Sequence, residues 1–132
     1  MKITADTNML VRVVAEDDLV QSAIAERMLG SAAMVAMPLP VLTEFCWVLA
    51  SVYKYSSAEI ASAVRTLTEA DNVVTDLPAI EAGLALLEAG GDFADGVIAH
   101  VGRWMGAETL MSFDKTAVKL LVAAGHKAIV PK

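Results

Sequence analysis

Lys2-Ile3-Thr4-Ala5-Asp6-Thr7-Asn8-Met9-Leu10 decides how this chain is read. Lys2 to Ala5 read as a short buried strand that ends in a carboxylate and two polar residues, and a helical apolar pattern begins at once. A strand that opens a parallel sheet and delivers an Asp at its C-terminal edge places that acid where open α/β sheets bind ligands. The rest of the chain is then a search for other acids that arrive at the same edge.

Outward from that stretch, short apolar runs alternate with helical patterns. A helix is expected over about 8–15, with Met9, Leu10, Val13 and Val14 inward and Thr7 or Asn8 as its cap. After the polar break Glu16-Asp17-Asp18, a second helix runs to about Gly30 with Val20, Ile24 and Met28 at fourfold spacing. Met34 to Met37 is a second strand. A third helix spans about 41–53 with Val41, Phe45, Val48, Leu49 and Val52 buried, and Glu44 in or near its first turn. Ser57 reads as the cap of a fourth helix, although Ser56 to Glu59 also has capping-box spacing; Ile60, Val64 and Leu67 face inward. Residues 72–75 make a third strand. A fifth helix from near Pro78 buries Ile80, Leu84 and Leu87 and stops at Gly90-Gly91. A sixth covers about 93–105 with Val97, Ile98, Val101, Trp104 and Met105 inside. A strand over 109–111, a helix over about 115–124 and a last strand over 127–130 complete the chain. This alternation predicts an α/β protein: a three-layer α/β/α sandwich around a four- to five-stranded parallel sheet with right-handed crossovers, in one domain over 1–132.

Composition agrees. Of the 132 residues 56% are apolar, as suits a sheet buried on both faces. No apolar run reaches the ~18 residues that span a bilayer, and the first residues do not read as a signal peptide, so the expected compartment is the cytosol. The lone Cys46 lies in an apolar helical pattern and reads as a small buried hydrophobe. The seven Met residues read as core filler, and Trp47 and Trp104 as core or dimer-interface residues. The net charge of −6 argues at first against a nucleic-acid partner. Setting aside Asp6, Glu44, Asp92, Asp95 and Asp114 leaves 11 acids against 10 bases, so the acidity is that of a local site.

Those five acids share a pattern. Asp114 repeats the setting of Asp6: a strand ends, an acid follows and a helix starts. Asp92 and Asp95, three apart at a helix start, can project from one face of the first turn. Glu44 follows the second strand. Singly, each has a plain explanation, since Asp92 and Asp114 are good helix caps and Glu44 a solvated acid near a helix dipole. Asp6 resists this most, because an acid tight against a central strand is costly unless something pairs with it. Together, carboxylates that close raise one another's pKa unless a cation intervenes. Oxygen donors without His or Cys suit Mg²⁺ or Mn²⁺, and such ions support phosphodiester hydrolysis.

Asp6-Thr7-Asn8, Val41-Leu42-Thr43-Glu44-Phe45, Asp92-Phe93-Ala94-Asp95 after a glycine pair, and Ser112-Phe113-Asp114, in this order and spacing, resemble the PIN-domain ribonucleases. Within them the chain most resembles VapC-type toxins of bacterial toxin–antitoxin pairs. The resemblance implies a Mg²⁺- or Mn²⁺-dependent endoribonuclease acting on cellular RNA, often transfer RNA. It also implies a VapB-type antitoxin that occludes the site, and a homodimer. By motif, Asp6, Glu44, Asp95 and Asp114 form the acidic quartet, Asp92 is an accessory acid, and Asn8 and Ser112 orient the site. Gly96 stands where the family has alanine, and Ser112 where threonine is common; Gly96 is expected to weaken its helix slightly.

The alternative is a PIN-like binding module that keeps the acids and acts by docking. A receiver-like phosphorylation domain fits less well, since no lysine motif follows the fourth strand. His100 and His126 read as packing or surface residues. Arg12, Lys54, Arg103 and Lys115 are candidate phosphate contacts.

Overall fold

A computed structural model describes residues 1–132. The chain divides into two compact units, Met1–Asp76 and Leu77–Lys132.

The first unit runs β1 (Lys2–Thr4), α1 (Thr7–Ala15), α2 (Leu19–Ser31), β2 (Met34–Ala36), α3 (Leu39–Ser51), α4 (Ser57–Thr68) and β3 (Val73–Val74). Its strands form a parallel ladder in the order β1-β2-β3, with Ile3 beside Val35 and Val35 beside Val73. The middle strand is therefore β2. Strands of two or three residues cannot hold themselves together, so stability comes from the helices packed on them. Leu10, Val35, Leu42, Phe45, Leu49, Ile60 and Val64 are among the buried apolar residues of this unit's interior.

Caps explain where these helices start. The Met9 N–H donates to Asp6 Oδ1 at 3.0 Å, so Asp6 caps α1, in place of the expected Thr7 or Asn8. Asp18 caps α2 by accepting from the Gln21 N–H. Ser56, one residue before the expected Ser57, closes a capping box: its Oγ accepts from the Glu59 N–H and its own N–H donates to Glu59 Oε1. Pro40 sits in the first turn of α3, where a missing N–H costs nothing.

The expected stripe of α2 is not the buried one. Val20 is 71% and Ile24 45% exposed, while Ser22 and Ala25 are buried. The helices α1 and α2 pack on each other, and the residues that α2 buries are these small ones. Likewise α3 buries Leu42, Phe45, Cys46 and Leu49 and leaves Trp47 exposed, and Val52, just past its end, is exposed too.

The second unit runs α5 (Leu77–Glu88), α6 (Phe93–Trp104), β4 (Thr109–Met111), α7 (Lys115–Ala123) and β5 (Lys127–Ile129). β4 and β5 pair in parallel, Leu110 beside Ala128, and the right-handed backbone ends of α5 and α7 are closed by Gly90 and Gly125 at positive φ. Five strands are present, as expected, and each ladder is parallel; hydrogen bonds group them as three and two. Leu86, Ala99, Leu121 and Ala128 form a core with Leu110, Val118 and Leu120 packed against it. Trp104, expected inside, is 83% exposed, and Met105 and Ile98 are exposed as well.

The tightest packing in this unit is between α5 and α6. A Cβ added at Gly96 would lie 2.5 Å from the Ala82 carbonyl oxygen, and one at Gly83 would lie 2.7 Å from the Phe93 ring. Gly96 is thus the residue that lets two helix backbones meet. This contact stands beside the slight cost in helix propensity expected for a glycine in α6.

Candidate metal centre

Within the first unit, Asp6 and Asn8 stand at the start of α1 and Glu44 on α3, two helices that pack on each other. Asp6 is exposed. One of its oxygens holds the α1 cap and no protein group bonds the other. The cost expected for an acid against a central strand does not arise, because Asp6 is solvated and capping and its strand is not the middle one. Glu44 is the sixth residue of α3, in its second turn, exposed and without a hydrogen bond or ion pair. The Asn8 amide also bonds no protein group.

Within the second unit three acids act on one another. Asp92 caps α6, its Oδ1 accepting from the Ala94 N–H at 3.0 Å. Asp114 caps α7, its Oδ1 accepting from the Ala117 N–H at 3.0 Å. The Asp114 N–H in turn donates to Ser112 Oγ at 3.0 Å, and the Ser112 N–H donates to the Ile129 carbonyl, so Ser112 ties the turn that carries Asp114 to β5. Asp95 is partly buried in the first turn of α6 and accepts no hydrogen bond from the protein. Its pKa is raised, first by burial, then by the charges of Asp92 and Asp114. No Lys or Arg pairs with any of the three.

Nowhere do three or more His, Cys, Asp or Glu side chains converge into a ready-made metal cage. The donor set nonetheless fits a hard divalent cation. It is all carboxylate, the acids keep an unbonded oxygen each, and the Asp95 charge has no counter-ion.

Arg12, read as a phosphate contact, is committed elsewhere. Its Nη1 pairs with Asp17 Oδ1 at 3.0 Å and its Nε donates to Gln21 Oε1 at 2.7 Å, while the Tyr53 hydroxyl donates to Asp17 Oδ2 at 2.7 Å. Lys54, Arg103 and Lys115 have no such partners. No sequence signal marked the Tyr53 contact, which spans 36 residues.

The family model of the PIN domain matches residues 3–120. The chain belongs to the PIN-domain family. The match runs through both units. Among solved structures, the crystal structure of VapC20 from Mycobacterium tuberculosis, a sarcin–ricin loop cleaving toxin, is similar at a TM-score of 0.46 and 20% identity over 98% of this chain and 100% of that one. No curated protein sequence matches this PIN-domain chain. No helix in it is long and apolar enough to cross a membrane.

Proposed function

We propose that this PIN-domain protein is a Mg²⁺- or Mn²⁺-dependent endoribonuclease that hydrolyses phosphodiester bonds of RNA as the toxin of a VapBC-type pair. One observation carries the reading: Asp95, partly buried and under the charges of Asp92 and Asp114, has no cation in the protein to settle its charge. Family membership supplies the class of chemistry, and the order of the four acidic motifs the subclass. The family match runs through both units, so the chain is taken as one nuclease domain.

In this reading Asp6, Glu44, Asp95 and Asp114 are the acids of the reaction, with Asp92 as an accessory ligand. A bound divalent cation supplies positive charge beside the phosphate and an acidified water. The chain's own part is to hold the acids in place. Asp114 is fixed twice, through the α7 cap and through Ser112. The Asn8 amide, bonded to nothing, is a donor for a phosphate oxygen. A VapB-type antitoxin and a second copy of the chain are the expected protein partners, and transfer RNA is among the expected substrates.

Cleavage of total cellular RNA by the purified protein, with Mg²⁺, Mn²⁺ or EDTA, tests this beside Asp95→Asn. Discrete fragments that need the metal and vanish in the variant are expected. A folded, antitoxin-free protein that cuts nothing would move the assignment to a PIN-like binding module.

A further inference from the structure

The groove bounded by β1, α1 and α2 has a volume of about 520 Å³ and is lined mainly by apolar atoms. It lies wholly in the first unit. Its lining includes Asp6, Asn8 and Met9 at the start of α1 and Ile24 and Met28 from α2. Ile24 and Met28 are two of the residues whose spacing suggested a buried stripe; Ile24 is half exposed because it faces this groove.

We propose that this groove holds a nucleobase of the RNA beside the bond that is cut, and that Ile24, Met28 and Gln21 set which base is accepted. The inference rests on the ribonuclease reading above. Residues assigned there to the reacting phosphate, Asp6 and Asn8, also line the groove, so a nucleotide joined to that phosphate is within reach of it. Sequence-selective RNA recognition works on unstacked bases, flat and apolar on both faces and polar at the edge. The groove is complementary to that shape. Its walls are thioether and branched alkyl groups. Its lining includes two amides with unspent capacity: Asn8 bonds nothing, and Gln21 uses its Oε1 for the Arg12 Nε, which leaves its NH₂ as a donor. An apolar side chain of a partner protein would fill the walls and leave both amides unpaired, at a cost that a base edge removes. The volume falls in the range of sites that enclose small planar ligands.

The test is cleavage of short oligoribonucleotides randomised around the cut, by the full chain with its activating metal, for wild type, Ile24→Ala and Gln21→Glu. Gln21→Glu keeps an acceptor for Arg12 and removes the donor. Wild type is expected to prefer one base at one position flanking the cut. Ile24→Ala is expected to raise KM about tenfold, the scale of a lost apolar contact in a specificity pocket, with kcat nearly unchanged. Gln21→Glu is expected to change the preferred base. Thermal melts of the variants separate this from unfolding, which would lower kcat and Tm together. Unchanged KM and unchanged preference in both variants overturn the proposal and leave the groove to a partner protein. If wild type cuts no RNA, an oligoribonucleotide carrying 2-aminopurine, mixed with the protein in EDTA, decides separately. A fluorescence change that Ile24→Ala weakens upholds the groove while the enzyme reading falls. No change with wild type overturns the groove too.

Discussion

At Asp95 the two protonation states of one carboxylate differ in their cost to the fold. Burial and the charges of Asp92 and Asp114 raise its pKa above the value it has in the unfolded chain. The folded protein therefore holds the proton more tightly. The charged form is a liability that is absent below the ordinary carboxylate range and grows as pH rises through the folded pKa. Asp95→Asn should thus melt higher than wild type at neutral pH in EDTA, with the gap closing as pH falls below that range. The same variant should lose cleavage. Asp6→Asn should behave differently. Asp6 caps α1, and asparagine caps as well as aspartate, so Tm should move little while cleavage is lost. Thermal melts from pH 3 to 8, with RNA cleavage assayed on the same preparations, check both. A destabilised Asp95→Asn at neutral pH would sink the claim that this acid lacks a counter-charge.

Among elements, the contact of α5 with α6 sets the tolerance for change. A methyl at Gly96 meets backbone, the Ala82 carbonyl, which no rotamer change can clear. Gly96→Ala should cost about 1–3 kcal/mol in urea unfolding, the usual price of overpacking, despite the better helix propensity of alanine. A stabilised variant would show that the helices can part. In the other unit, the Tyr53 hydroxyl and Arg12 hold Asp17 below the ordinary carboxylate pKa, the Tyr53 hydrogen bond first. That stabilisation is present above the unfolded value and is lost as pH falls through the folded one. Tyr53→Phe should lower Tm at neutral pH, and the difference should shrink in acid. What was legible in the sequence follows the same division. Every helix and strand was legible from periodicity and from Gly and Pro punctuation, within a few residues at its ends. The stripes of α2 and α6 were not, because apolar spacing marks a face without saying what covers it. Ser22 and Ala25 hold the buried side of α2. The acids were legible as residues. Asp92 and Asp114 were legible as caps too; the Asp6 cap was not, because Thr7 and Asn8 compete for the same turn and the choice depends on backbone N–H directions that the folded chain fixes.

For the whole molecule, the question is whether its acidity is a general surface property or a site. A net charge of −6 repels phosphate and compacts poorly, and any added salt relieves both by screening. A site responds to one ion. If Asp95 and its neighbours bind Mg²⁺ in the folded state alone, Mg²⁺ stabilises by mass action, about 2.7 kcal/mol at a hundred times Kd. For a chain of this size that corresponds to a rise of roughly 5–10 °C in Tm. NaCl at matched ionic strength should give a much smaller rise. Asp95→Asn should lose most of the Mg²⁺ increment while keeping its own higher baseline in EDTA, since the substitution removes both the liability and the ligand. Equal shifts from Mg²⁺ and NaCl in wild type would mean that screening accounts for everything. The acids of this PIN-domain chain would then be caps and surface charge, and the binding-module reading would take the place of the enzyme.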